Sequence, residues 1–157
     1  MEAKIGIKQN LIEKSAHELC VLLADEFVLY TMTRNAHWNV EGLDFHRNHK
    51  FFEEHYVQLE EIIDEVAERI RSLGSYAPGS LAEYLKLTRL TEASREKNNG
   101  IGFMKELLMN HESIIIHIRE KINLINTDFN DAGTADFITG IMEQHEKMAW
   151  MLRSHLS

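Results

Sequence analysis

The stretch from Asp44 to Gly74 constrains the fold most strongly, because it carries a helical pattern without a proline. Apolar residues recur in it at spacings of three, four and seven: Phe45, Phe52, Tyr56, Leu59, Ile63, Val66, Ile70 and Leu73. This spacing is typical of one face of an α-helix. Asp44 is a candidate N-cap, and Gly74 lies where a helix commonly ends. We therefore predict one long helix between them.

Similar patterns predict three more long helices, over about residues 9–39, 100–125 and 132–155. The connection over residues 74–98 is too long for a plain loop in a compact domain, and residues 81–85 predict a short helix inside it. A single proline and 44% hydrophobic residues also favour an all-α fold.

The composition limits the class of protein. The 157 residues predict one domain over residues 1–157, long enough to bury a sizeable core. The single cysteine, Cys20, excludes an intrachain disulfide. Charged residues interrupt the first thirty positions, so we expect no secretory signal, and no uncharged run approaches the length of a membrane span. We therefore expect a cytoplasmic protein.

Two pairs of side chains on the predicted second helix have metal-ligand character, one of histidine with carboxylate and one of two carboxylates. Glu53 follows His49 by four residues and Glu68 follows Asp64 by four, so each pair lies on one face, one turn apart. His49 and Asp64 are separated by roughly 22 Å along the helix. Since ligands must reach within about 2 Å of one ion, a single copy cannot close the site.

Antiparallel pairing with a second copy about a two-fold axis solves this problem. Facing residues then share a constant sum of residue numbers. His49 with Glu68 and Glu53 with Asp64 give the same sum, so one axis between residues 58 and 59 brings both pairs together. A turn near residue 43 places His37 opposite His49. We predict two equivalent sites, with His37, His49 and Glu53 from one subunit and the two other acids from its mate.

The ligand types indicate the chemistry. Imidazole with carboxylate suits iron, manganese or zinc. Hard anionic carboxylates stabilise Fe³⁺ more than Fe²⁺, so oxidation of bound Fe²⁺ is the expected reaction, although Zn²⁺ or Mn²⁺ could take the same ligands. Each acid alone is typical of a solvated helix face; it is the combination that points to a metal centre.

Residues 35–74 carry a dense set of motif positions: His37-Trp38-Asn39-Val40, Gly42, Phe45, His49, Phe52-Glu53, Tyr56, Asp64, Ala67-Glu68-Arg69-Ile70 and Leu73-Gly74. In these positions the chain resembles the Dps family, the mini-ferritins also called DNA-binding proteins from starved cells. The length and the later helices fit the same family. The resemblance implies a ferritin-like four-helix bundle with a short extra helix between the second and third helices.

The resemblance also implies a function. It predicts a homo-oligomeric shell of twelve subunits whose ferroxidase centres lie at two-fold interfaces, with His37, His49, Glu53, Asp64 and Glu68 as ligands. Hydrogen peroxide is the oxidant that the family prefers, and ferric mineral is stored inside the shell. Glutamate followed three residues later by histidine, the pair used by bundle-core di-iron proteins, does not occur in this chain.

Other polar residues have less specific interpretations. The resemblance places Asp131 and Asp136 at three-fold pores for Fe²⁺ entry, but acids at a helix start are equally explained by capping. Seven histidines remain without an assigned role, and we expect most to be surface or hydrogen-bonded core groups. They are His17, His46, His55, His111, His117, His145 and His155.

The charge pattern disfavours DNA binding. The net charge of −8 per chain, multiplied in a twelve-subunit shell, should repel nucleic acid. Near the start only Lys4 and Lys8 could contact phosphates.

The sequence leaves two functional hypotheses. The first, which we prefer, is an iron-oxidising storage enzyme that protects against oxidative stress. The second is a nucleoid-associated structural protein in which metal only stabilises the dimer.

Overall fold

The computed structural model describes residues 3–92 and 98–157, and these residues form an all-α bundle. Its helices are α1 (Gln9–Asn39), α2 (Phe45–Ser72), α3 (Leu81–Leu87), α4 (Gly100–Asn123) and α5 (Ala132–Leu156). A π-helical turn, Leu124–Asp128, extends α4. The described residues contain no β-strand, only an isolated bridge between Glu41 and Asn99. The four long helices and the short helix in the connection are confirmed.

The helices pack as two hairpins, α1 against α2 and α4 against α5. The apolar face of α2 predicted from its spacing is buried at Phe52, Leu59, Val66 and Ile70. Burying a side chain of this size stabilises the fold by about 1.5–3 kcal/mol. The pattern that predicted the helix therefore also supplies its share of the core. No helix among the described residues is long and apolar enough to cross a membrane.

The corner between α1 and α2 is fixed by backbone contacts. Gly42 has φ of 118°, in the left-handed region that favours glycine. The next hairpin holds this corner, because the Glu41 amide donates to the Asn98 carbonyl over 2.8 Å. A Cβ at Gly100 would clash with the side-chain amide of Asn48, so α2 and the start of α4 meet closely. The end of α1 and the start of α2 are thereby held in register.

The crossover between the hairpins is anchored on α1 by a buried carboxylate. Asp25 has no accessible surface and accepts hydrogen bonds from Thr88 Oγ1 and the Arg89 amide, both over 2.8 Å. The Arg89 guanidinium also pairs with it. Ser80 and Glu83 form a reciprocal capping box at the start of α3. These contacts fix the connection around the short helix.

Candidate metal centre

His37, in the last turn of α1, and His49, in the first turns of α2, hold each other in a reciprocal arrangement. Nδ1 of each ring lies 2.8 Å from the backbone carbonyl oxygen of the other residue. The rings stack, with centroids 3.7 Å apart. A carbonyl can only accept, so both rings donate Nδ1–H and both keep the lone pair on Nε2. Each histidine is thus in the tautomer that binds a metal through Nε2.

Aromatic neighbours restrict these two rings further. Tyr56 packs edge-on against His37 with centroids 5.1 Å apart, and Phe45 lies 5.2 Å from His49. His37 is buried and His49 is half-buried. Protein contacts therefore orient both imidazoles, which are not left free in solvent.

Glu53 lies one turn after His49 and close to both imidazoles. Lys50 Nζ pairs with its Oε2 over 2.6 Å. The hydrogen bond from Lys50 is the main cause that lowers the pKa of the Glu53 carboxyl, and the charges of Lys50, His37 and His49 lower it further. Glu53 is consequently ionised at neutral pH, within electrostatic range of both imidazoles.

Asp64 and Glu68 are exposed, farther along α2. Asp64 lines an open surface groove with Glu60, Glu61 and Ala67. Among residues 3–92 and 98–157, no group of three or more His, Cys, Asp and Glu side chains could by itself hold a metal ion. The structure thus stacks His37 on His49 and places Glu53 within electrostatic range of both, and it leaves Asp64 and Glu68 exposed farther along α2.

Asp131 is the N-cap of α5. Its Oδ1 accepts from the Thr134 amide over 3.0 Å and lies 3.4 Å from Nη2 of Arg69, and only 2% of its surface is exposed. Asp136 is exposed. These contacts support the capping interpretation of Asp131, whereas a pore lined by Asp131 and Asp136 stays a prediction.

The sequence analysis gave no role to three histidines that form a polar cluster in the bundle core. His55, His111 and His145 have no accessible surface, and neither does Glu26, which contacts His145. A signal was present in the sequence: His111 lies at helical spacing from Leu107 and from Ile114, within the buried face of α4. The expectation of hydrogen-bonded core groups is confirmed for His111 and His145.

Comparisons with known proteins agree with this architecture. Residues 17–157 match the family model described as a ferritin-like domain. A DNA protection during starvation protein of Helicobacter pylori is 33% identical over 136 residues, covering 87% of this chain and 94% of that protein. The Dps protein of Vibrio cholerae superposes with a TM-score of 0.91 at 31% identity, covering 99% of this chain and 97% of that one. This chain belongs to the Dps family of ferritin-like proteins.

Further relatives extend the Dps similarity. A low temperature-induced protein of Nostoc is 42% identical over 134 residues, covering 85% of this chain and 75% of the relative. The Vibrio Dps is described as a member of a broad superfamily of ferritin-like diiron-carboxylate proteins. Family membership confirms both the resemblance of residues 35–74 and the ferritin-like four-helix bundle predicted from the sequence.

Proposed function

We propose that this Dps-family protein is a ferroxidase that oxidises Fe²⁺ at centres formed between two copies of the chain. The ferric product would be stored inside a closed shell, for which we expect twelve subunits. The observation that carries this proposal is the reciprocal contact of His37 and His49, which leaves both Nε2 lone pairs free beside the ionised Glu53.

The remaining ligands would come from the partner copy. Asp64 and Glu68 are exposed on the same helix, at the positions that face Glu53 and His49 when α2 pairs with itself about an axis between residues 58 and 59. Val57, an apolar residue next to that axis, is 43% exposed, and pairing would cover it. Each two-fold pair would then contain two equivalent centres.

The substrates follow from the ligand set. Three carboxylates and two imidazoles favour Fe³⁺ over Fe²⁺, so bound Fe²⁺ is poised to lose an electron. With hydrogen peroxide as the oxidant, two Fe²⁺ ions each give one electron, the O–O bond breaks, and two protons complete two water molecules. No hydroxyl radical is released when both electrons are supplied together. Zn²⁺ or Mn²⁺ would compete for the same ligands.

The test is the rate of ferric absorbance after Fe²⁺ is loaded anaerobically and hydrogen peroxide or air is added. We expect the double variant Asp64→Ala and Glu68→Ala to assemble normally in size-exclusion chromatography but to oxidise iron at least about tenfold more slowly, because each centre loses two anionic ligands.

The matched control is Glu61→Ala with Glu65→Ala, which removes the same charge at the same spacing from exposed positions of α2. It should keep the wild-type rate. Equal rates in the two double variants would overturn the ligand assignment.

Nucleic acid is not part of this proposal. The net charge of −8 per chain opposes the approach of a phosphate backbone, and a shell of many copies would increase that repulsion.

A further inference from the structure

The guanidinium of Arg34, on α1, is held by aromatic rings rather than by an acid. Its Cζ atom lies 4.3 Å from the ring centroid of Tyr56, 5.1 Å from that of Trp38 and 5.6 Å from that of Tyr30. Among the described residues, none accepts a hydrogen bond from it or forms an ion pair with it. The side chain is half-buried, so a planar fork with five N–H donors is oriented but unpaired.

Arg34 and its aromatic neighbours lie beside the proposed metal half-site. Tyr56 contacts the imidazole of His37 edge-on, and Trp38 directly follows His37 in the chain. The Trp38 side chain is 62% exposed. Tryptophan, tyrosine and arginine are the residue types most enriched among those that dominate binding between proteins. This cluster therefore has the composition of an interface anchor, next to the centre that two copies would share.

A surface of opposite charge lies farther along α2. The open groove that Asp64 lines also contains Glu60 and Glu61, and all three acids are exposed. Among residues 3–92 and 98–157, no cation pairs with any of them. At about 100° per residue, Glu60 and Asp64 each point within about 20° of Glu53, whereas Glu61 is turned away by about 80°. Glu60 and Asp64 therefore lie on the face proposed to bind metal.

The proposed two-fold axis brings the two surfaces to the same level. Tyr30 contacts Tyr56 across the α1–α2 hairpin, and Arg34 lies one turn farther along α1. Because its guanidinium packs on Tyr56, it is level with residues 52–56. In antiparallel pairing about that axis, this stretch faces residues 61–65 of the partner copy, within the acidic groove. The unpaired cation of one copy thus faces the unpaired acids of the other.

Such a contact answers an electrostatic problem of the two-fold face. Before iron is bound, each copy brings four carboxylates to it: Glu53, Glu60, Asp64 and Glu68. Like charges brought together across an interface oppose association. One arginine from each copy offsets part of this repulsion at the position where the partner's acids converge.

We propose that Arg34 of each copy binds the carboxylates of Glu60 and Asp64 on the partner copy and is a positioning residue of the intersubunit centre. This inference rests on the proposed two-fold pairing and adds the contact that holds it before iron binds. A carboxylate has two oxygens, so Asp64 can accept from Arg34 through one and bind Fe²⁺ through the other. Hydrogen bonds of this kind hold a ligating carboxylate in orientation.

The experiment measures assembly of metal-free protein by size-exclusion chromatography and mass photometry over a range of concentrations. Arg34→Glu sets a carboxylate against the acidic groove, so we expect pairing to weaken by at least about tenfold. Mixing this chain with a second chain that carries Glu60→Lys and Asp64→Lys should restore the wild-type size, with both chains present in equal amounts. In the mixed pair each cation again faces an acid, whereas the Arg34→Glu chain alone has none to offer.

The matched control chain carries Glu61→Lys and Glu65→Lys, which reverse the same charges at the same spacing on exposed positions turned away from that face. It should not rescue Arg34→Glu. Circular dichroism verifies folding, and Arg34→Gln, which only removes the charge, should also weaken assembly. Wild-type assembly of both Arg34 variants, or equal rescue by the two lysine chains, would overturn the proposal. Iron oxidation is read separately with Arg34 intact, so a slow wild-type ferroxidase would count against the proposed function and not against this contact.

Discussion

The backbone around His37 and His49 determines which ring nitrogen each histidine offers. The spacing of twelve residues between them predicted that they would face each other across the α1–α2 corner. It did not predict that each Nδ1 would donate to the other's carbonyl, because that contact depends on the local backbone near Gly42. The contact between the two histidines is therefore predictable from the sequence, whereas their tautomer requires the structure.

Burial of His111 makes the stability of the protein depend on pH. Its pKa lies well below 6.5 because burial disfavours the charged ring, and the neighbouring His145 and His55 lower it further. In the unfolded chain this histidine takes up a proton below about pH 6.5, and in the folded chain it does not. Stability should therefore fall as pH decreases below about 6.5, at up to about 1.4 kcal/mol per pH unit for this group.

His111→Leu should flatten this dependence but not remove it, since burial also lowers the pKa of His55 to about 4. The measurement is denaturant unfolding at pH 7, 6 and 5 in the presence of a chelator, at one protein concentration. Replacing the exposed His17 by leucine is the control and should keep the wild-type slope. Identical slopes in wild type and His111→Leu would show that His111 does not couple folding to protons.

Among the secondary structure elements, the helices were predictable and their long-range anchors were not. Periodicity alone placed α2 within two residues of its observed bounds, because most of its apolar face, from Phe52 to Ile70, packs into the core. The π-helical turn Leu124–Asp128 was missed, since the sequence reads as a simple continuation of α4. The contact of Asp25 with Arg89 spans 64 positions, and no local pattern indicates it.

Asp25→Ala should loosen the crossover between the hairpins. It leaves the Arg89 amide, its guanidinium and the Thr88 hydroxyl without their shared acceptor. We expect a loss of about 3 kcal/mol, the lower end for breaking a buried pair, because Arg89 keeps about a third of its side chain in solvent. Denaturant unfolding measures the loss, and faster amide exchange over residues 80–92 would locate it.

Glu112→Ala is the comparison, because Glu112 pairs with Arg153 over 2.8 Å on the surface. Exposed pairs contribute about 0–1 kcal/mol, so this variant should unfold almost as the wild type does. If Asp25→Ala were equally mild, the crossover would be held by its apolar contacts alone.

For the whole molecule, the central question is whether one chain or two chains would build each proposed ferroxidase centre. His37, His49 and Glu53 lie together, while Asp64 and Glu68 are exposed elsewhere on α2. The spacing of these residues in the sequence predicted that two chains pair about a two-fold axis. The structure of a single chain does not test that pairing. Activity that depends on which variants share a two-fold pair would decide the matter.

Subunit complementation provides that measurement. A chain with His37→Ala and His49→Ala and a chain with Asp64→Ala and Glu68→Ala should each be inactive alone. When the two are coexpressed in equal amounts, half of the two-fold pairs are mixed, and each mixed pair has one intact and one fully disabled centre. The mixed shells should therefore recover about a quarter of the wild-type oxidation rate. A centre built within one chain would recover none, because every chain carries a disabling substitution.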